Sequence, residues 1–331
     1  MLKTRSVLSA LSAALMISAS CGTAATFNET FSSNPLQHGW NTHGEAGLFQ
    51  WDATNEDLRI TWDSSRPNSF FYRPLGTILS RNDDFSVAFD LNLADIGAGV
   101  DTNKSGTFSI GLGFLNFDQA AQTNFLRGTG VNSPDLAEFA YFWDSGFGAT
   151  VYPTLVSTNS TFNYTAPTDY AIFALAPGDG YHVTMSFTAS NQTLVATLTN
   201  FAQTAGVRIA QPLSASFSDF RLGSFSITSY SDAGQDPQYA GSVLAHGTVD
   251  NLVLAFPDSP VQNVSGALTN GLWEARFAGQ TNWVYTLQRT SDFMSWSNVS
   301  VSVPGQPGAI ELAETNRPLA HAFYRVRANR P

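Results

Sequence analysis

Apolar residues that alternate with polar ones, segment after segment, constrain this chain more than any other feature. Leu58-Arg-Ile-Thr-Trp62, Phe85-Ser-Val-Ala-Phe-Asp-Leu-Asn-Leu93, Phe108-Ser-Ile-Gly-Leu-Gly-Phe114 and Tyr181-His-Val-Thr-Met-Ser-Phe187 all keep a period of two. So do Ala46–Trp51, Thr193–Leu198, Phe220–Ile227 and Val249–Leu254. Successive side chains of a strand point to opposite faces, so this period buries one face of a sheet and leaves the other for water. No long apolar period of 3.6 competes with it. Clusters of Gly, Asn, Asp and Ser punctuate the runs at intervals that suit an antiparallel sandwich. The stretch Asn116–Gly130 is predicted to be a short helix or a long loop across one sheet.

At 331 residues the chain is long enough for one large β domain and a small one. The first 25 residues read as an export signal. Lys3 and Arg5 form a basic start, Val7 to Ala19 an apolar run, and Gly22-Thr-Ala-Ala25 a small-residue cleavage region. The run is too short to span a bilayer, and no later stretch approaches the length of about 20 apolar residues that spanning needs. Cys21 is the single cysteine. A lipid anchor there would want a leucine-like residue three positions earlier, where Ser18 stands, so Cys21 is expected to leave with the signal. The mature chain then has no disulfide and relies on core area.

Residues 26–256 form the predicted main domain, Pro257-Asp-Ser-Pro260 a linker stiffened by proline, and residues 261–331 a small C-terminal β-sandwich. Charge changes sign at the linker. Residues 26–260 hold 22 acidic groups against eight basic ones, a net of −14, whereas residues 261–331 hold four against six, a net of +2. So acidic a main domain argues against nucleic acid and anionic membrane as its partners, and suits neutral polymers or cations.

The stretch Leu136-Ala-Glu-Phe-Ala-Tyr-Phe-Trp-Asp144 carries the nearest approach to a chemistry. On a period of two, Glu138, Ala140, Phe142 and Asp144 share one face, and Phe139, Tyr141 and Trp143 the other. The aromatic face is expected in the core, leaving Glu138 and Asp144 on an open, solvated face. Six residues at about 3.3 Å each would hold those carboxylates roughly 20 Å apart, too far for glycoside hydrolysis by the pair. A sugar platform remains. Tyr72, Phe142 and Asp144 could furnish it, with Asn132 and Asp135 from the adjoining loop, because sugar rings stack on aromatic faces while polar groups take the hydroxyls. His38, His43 and Glu45 lie close together around Gly44 and read as turn residues beside Trp40. His182, inside a strand, is expected to face solvent or a satisfied core. Gly-x-Ser-x-Gly and Gly-x-x-x-x-Gly-Lys do not occur.

Asn28-Glu-Thr-Phe31, Asp84-Phe-Ser-Val-Ala-Phe-Asp-Leu91, Gly180-Tyr-His-Val-Thr-Met185 and Val249-Asp-Asn-Leu252 come in the order seen in concanavalin A-like domains, and residues 26–256 resemble that family of lectins, laminin-G domains and laminarinases. The resemblance implies a jelly-roll sandwich. Ala137-Glu-Phe-Ala-Tyr-Phe142 is similar to the metal-binding strand of L-type lectins, with Glu138 at the first metal carboxylate. Ala140 stands where that family's bridging Asp belongs, and a methyl group offers no oxygen to Ca²⁺. Retaining glycosidases of the family place three acids at two-residue intervals on one strand, and Ala140 breaks that pattern too. Glu29 and Asp250 occupy positions that resemble a structural Ca²⁺ site of laminarinase-like jelly rolls. In the tail, Tyr285-Thr-Leu-Gln-Arg-Thr-Ser-Asp292, Trp296 and Phe323-Tyr-Arg-Val-Arg327 resemble a module that ends many secreted proteins of Verrucomicrobia-like bacteria, of fibronectin type III size.

The expectation is therefore an exported all-β protein, a concanavalin A-like jelly roll followed by a small fibronectin type III-like sandwich. Its leading function is non-catalytic binding of an extracellular polysaccharide or cell-surface glycan. A glycoside hydrolase or polysaccharide lyase with a rearranged site, and a structural or adhesive surface protein, are the alternatives.

Overall fold

The structure is a computed structural model that describes residues 24–98, 109–123, 134–143, 148–157, 170–215, 217–231, 243–314 and 322–330. In chain order its first strands are β1 (Ala24–Glu29), β2 (Asn41–His43), β3 (Phe49–Asp52), β4 (Asp57–Asp63), β5 (Ser69–Leu79), β6 (Phe85–Ala98), β7 (Ser109–Leu115) and β8 (Leu136–Phe142). Then come β9 (Thr150–Val156), β10 (Ala171–Ile172), β11 (Gly180–Thr188), β12 (Thr193–Asn200), β13 (Gly206–Pro212), β14 (Leu222–Ser229) and β15 (Val243–Pro257). One α-helical turn, α1 (Phe117–Ala120), starts the stretch expected to be helix or loop, with the Asn116 side chain accepting from Gln119 N at its N-cap. Residues 124–130 of that stretch lie outside the described residues.

The strands form two antiparallel sheets. One has the order β13-β12-β11-β6-β15-β4-β3, with β1 also paired to β15; the other runs β10-β9-β8-β7-β14-β5-β2. Strands distant in sequence lie side by side, as a jelly-roll sandwich requires, and the all-β class expected from the alternation holds. Strand β15 is the spine of the first sheet. Its Leu244–Val249 half pairs with β4, its Leu252–Pro257 half with β1, and β6 follows most of its other edge.

The inward residues follow the predicted period. Val87, Phe89 and Leu91 of β6, Val183, Met185 and Phe187 of β11, and Leu112, Phe114, Phe139 and Tyr141 of the facing sheet are all buried in one core. Removing each such side chain from water contributes roughly 1.5–3 kcal/mol before the entropy of ordering is set against it. Trp62, the last apolar residue of its alternating run, is fully buried, and Trp40, which the sequence placed only beside a turn, lies stacked on Phe71 at 4.8 Å. The Ala46–Trp51 run is a 3-10 turn at Ala46–Leu48 before it becomes a strand.

Beyond Pro257 come β16 (Gln262–Thr269), β17 (Leu272–Gly279), β18 (Val284–Thr290), β19 (Ser297–Asn298), β20 (Val303–Pro304), β21 (Gly308–Ala313) and β22 (Phe323–Asn329). They make a sheet of order β16-β17-β21 and a second built on β18, which pairs β19 and β20 along one edge and β22 along the other. A separate small core of Phe277, Trp283, Tyr285, Leu287 and Ile310 lies between them. The Pro257–Pro260 stretch is pinned rather than loose. Pro257 ends β15, the Gln280 side chain donates to the carbonyls of Asp258 and Ser259, and Tyr285 Oη donates to Pro260 O at 2.8 Å.

Candidate functional site

Strand β8 departs from its expected setting. Its Phe139 and Tyr141 enter the core as predicted, but the opposite face is dry as well, and Glu138 is 0% exposed. The register shows why. One row across this sheet reads Thr154, Glu138, Gly113, Ser226, Tyr72, Asn41, and the next reads Tyr152, Ala140, Gly111, Thr228, Phe70, His43. Small residues in the middle of both rows make a trough, and Tyr230 lies in it. A Cβ on Gly111 would sit 2.8 Å from the Tyr230 ring. The ring meets Phe70 edge-on at 6.2 Å, and its hydroxyl donates to Glu138 Oε1. Glu138 is therefore a buried acceptor tied to the far end of β14. The open carboxylate that the alternation suggested is not there.

The other residues nominated from sequence do not converge. Tyr72 shares the row of Glu138 but lies three strands away, about 14 Å at the usual strand spacing, and its ring is stacked on Phe117 at 3.6 Å. Phe142 is half-buried at the end of β8, tilted against Tyr152 at 6.3 Å. Asp135 is buried, where its Oδ2 accepts from Arg221 N and its backbone O from Asn116 N, so it joins the starts of β8 and β14 to α1. Asn132 and Asp144 lie outside the described residues.

Glu29 and Asp250 sit near one another in the first sheet, yet they do not fit a Ca²⁺ site. Glu29 Oε1 accepts from Phe31 N at 2.9 Å and Oε2 from Trp40 Nε1 at 3.0 Å, so both oxygens face N–H donors. Those bonds hold Phe31 at φ 50 and seat Trp40 in the core. Burial, with Asp90, Glu56 and Glu29 nearby, pushes the Asp250 carboxyl above its ordinary range, although its bond from Asn251 N opposes the shift. Among the described residues no group of three or more His, Cys, Asp or Glu could hold a metal ion. His38 is bonded to Ser33, and His43 lies edge-on to Phe117.

The open polar face belongs instead to the first sheet. There β11 shows the half-buried alternation that β8 lacks, with His182 and Thr184 exposed between buried neighbours. His182 Nδ1 is paired with Asp90, whose other oxygen accepts from Asn251 Nδ2 at 2.8 Å. Further along, β15 and β6 slip register between His246 and Gly247, a β-bulge that puts both Ala94 and Asp95 on the exposed side. Over the bulge lies a groove of about 390 Å³ lined by Gln50, Asp57, Arg59, Thr61, Asn92, His246 and Thr248, together with Gly47 and Leu48.

The groove's side chains are held in place. His246 Nδ1 lies 2.8 Å from Asp95, and Arg59 is paired with Asp52. Burial, then the charge of Asp52, pushes the Asp57 carboxyl up, with Arg59 opposing. The sequence did carry a signal for this site. Arg59, Thr61 and Asn92 are polar members of the alternating runs Leu58–Trp62 and Phe85–Leu93, and His246 and Thr248 come just before the run Val249–Leu254. Only the pairing of β3, β4, β6 and β15 brings them together.

No family model matches the sequence, and no curated protein matches it. Solved structures similar in fold include a Lotus tetragonolobus seed lectin, with 10% identity and a TM-score of 0.46 over 70% of this chain and 98% of that one. Lectin I from Ulex europaeus in complex with the methyl glycoside of alpha-L-fucose gives 13% identity and 0.44 over 71% and 98%. Peanut lectin with a nine-residue peptide gives 15% and 0.42 over 71% and 99%. No helix among the described residues is long and apolar enough to cross a membrane.

Proposed function

We propose that this chain is an exported, non-catalytic carbohydrate-binding protein that holds a neutral glycan on the outer face of its first sheet. The groove over the β-bulge carries the reading. A sugar hydroxyl both donates and accepts, and the groove offers the amides of Gln50 and Asn92, the hydroxyls of Thr61 and Thr248, the Arg59 guanidinium and the His246 ring side by side on rigid strands. Its volume is that of a small-ligand site. The net charge of −14 over residues 26–260 disfavours acidic polymers, so the substrate class is neutral. Export rests on the basic, apolar and small-residue pattern of residues 1–25. The tail belongs to the same reading as a fibronectin type III-like module of secreted Verrucomicrobia-like proteins.

The reading is non-catalytic because Glu138, the acid that the family resemblance singled out, is buried and engaged by Tyr230. Calcium has no part in it, since the Glu29 oxygens already accept two N–H bonds. A glycan array with the mature protein, followed by reducing-sugar release from any hit, tests the proposal. Binding without release is expected. Asn92→Ala with His246→Ala should weaken it about tenfold or more, which is at least about 1.4 kcal/mol, while leaving the unfolding midpoint in place. Silence across all neutral glycans would favour an adhesive protein, and sugar release would favour a hydrolase or lyase.

A further inference from the structure

The turn from Thr290 to Trp296, between β18 and β19, presents apolar side chains in a way that solvent alone does not explain. Phe293 is 60% exposed and Met294 90%. Phe293 also has φ 61, a left-handed conformation that a bulky side chain adopts only when its surroundings impose it. Here they do. Thr290 Oγ1 accepts from Asp292 N and Phe293 N at 3.2 and 3.0 Å, and Asp292 Oδ1 accepts from Met294 N and Ser295 N at 2.8 and 3.0 Å. The amides of the tip are thus satisfied within the turn itself.

Behind the tip stands an aromatic layer. Phe323, 47% exposed, has its ring 4.0 Å from that of Phe293, and Trp296 meets Phe293 edge-on at 6.3 Å. Behind that comes positive charge. The Arg325 guanidinium lies 4.1 Å over the Trp296 ring, with its Nε donating to Gln288 Oε1 at 2.8 Å, and Arg327 follows two residues along the exposed side of β22.

We propose that this tip is a membrane-docking element that inserts Phe293 and Met294 at the acyl boundary of a phospholipid surface. Three observations carry it. First, a segment leaving water for lipid must not strand backbone donors, and these are satisfied in advance. Second, apolar tip, aromatic layer and arginines come in the depth order of a bilayer interface: acyl chains, headgroup boundary, phosphates. Third, residues 261–331 carry +2 against −14 before them, so the basic end is the part that anionic headgroups attract. Met294 gives a sugar ring no flat face to stack on. Two tip side chains and Phe323 also cover far less area than a stable dimer needs.

The test is co-sedimentation of the full mature protein with phosphatidylcholine vesicles, with and without a phosphatidylglycerol fraction. Binding is expected, stronger with phosphatidylglycerol, together with a blue shift of tryptophan emission that a Trp296→Phe variant lacks. Phe293→Gly with Met294→Ser removes the apolar tip and suits the left-handed φ, so the turn stays formed. This double variant should weaken vesicle binding at least tenfold with an unchanged unfolding midpoint, and Arg325→Gln should remove mainly the phosphatidylglycerol preference. Failure to sediment with either vesicle, or a double variant that sediments like the parent protein, overturns the proposal. A glycan that binds the tip and is lost in the double variant would overturn it in favour of a second sugar site.

Discussion

Strands β8 and β11 each send one set of alternate residues into the same core and sit in opposite surroundings. Both bury their Tyr, Phe, Val or Met set, but the remaining set of β8 is apolar save for Glu138, whereas that of β11 is polar at His182, Thr184 and Ser186. The other set of β11 faces water, where His182 is exposed and paired with Asp90. The other set of β8 faces a trough filled by Tyr230, where Glu138 and Ala140 are 0% exposed. Alternation fixes which residues share a face. It does not say whether that face is wet.

Substitutions can break this comparison. Ala140→Asp should have the largest effect, because it places an unpaired carboxylate in a dry trough at a cost of about 3–5 kcal/mol. Urea unfolding with and without Ca²⁺ measures it; a variant as stable as the parent that gains Ca²⁺ affinity would show an open lectin-type face after all. Glu138→Ala comes next, at about 2–4 kcal/mol, since it removes the acceptor of the Tyr230 hydroxyl and leaves a cavity. Glu138→Gln keeps an acceptor and should lose less. On β11, His182→Ala should change stability by under about 1 kcal/mol, as exposed polar pairs do. A loss as large as that of Glu138→Ala would mean the two faces are not different in kind.

The smallest expected effect lies in the tail and depends on pH. Hydrogen bonds donated by Ser295 N and Met294 N, and by the Thr290 hydroxyl, lower the Asp292 carboxyl to about 2 from its ordinary 3.8. A depressed carboxylate contributes stability that is complete above its unfolded value and is lost as pH falls through the folded one. The turn should therefore hold above about pH 4 and loosen between there and about pH 2, seen as a change in tryptophan emission that a Trp296→Phe variant lacks. Asp292→Asn should abolish that step. An unaltered step in the variant would place its origin elsewhere.

Much of the sandwich was legible. The β4, β6, β11 and β12 runs emerge within a few residues of their expected spans, because each has apolar residues on one side and polar residues on the other. Strand β5 was not foreseen, since Pro74 and Gly76, the latter at φ 72, interrupt its pattern with turn residues and a bulge opposite Leu222. The trough was hidden for a different reason. Gly111 and Gly113 read as ordinary strand glycines, and nothing local says that Tyr230, 92 residues after Glu138, will use the space. In the sequence Glu29 resembles a Ca²⁺ ligand and Asp135 is offered to a sugar, because the donors that occupy them, Trp40 Nε1 and Arg221 N, come from other parts of the chain. The groove was concealed because its polar side chains are unremarkable within each strand, and only the pairing at the bulge assembles them.

The pairing of β15 has a consequence for how the chain is born. Residues 24–29 have no sheet partner until residues 252–257 arrive, and β4 and β6 also wait for β15 to join them. Chain closure over such separations is slow, and the early strands cannot complete a sheet on their own. A ribosome must therefore release most of the main domain before its first sheet can close. A nascent chain kept open for so long leaves strand edges exposed, and a holding chaperone would be useful until β15 emerges.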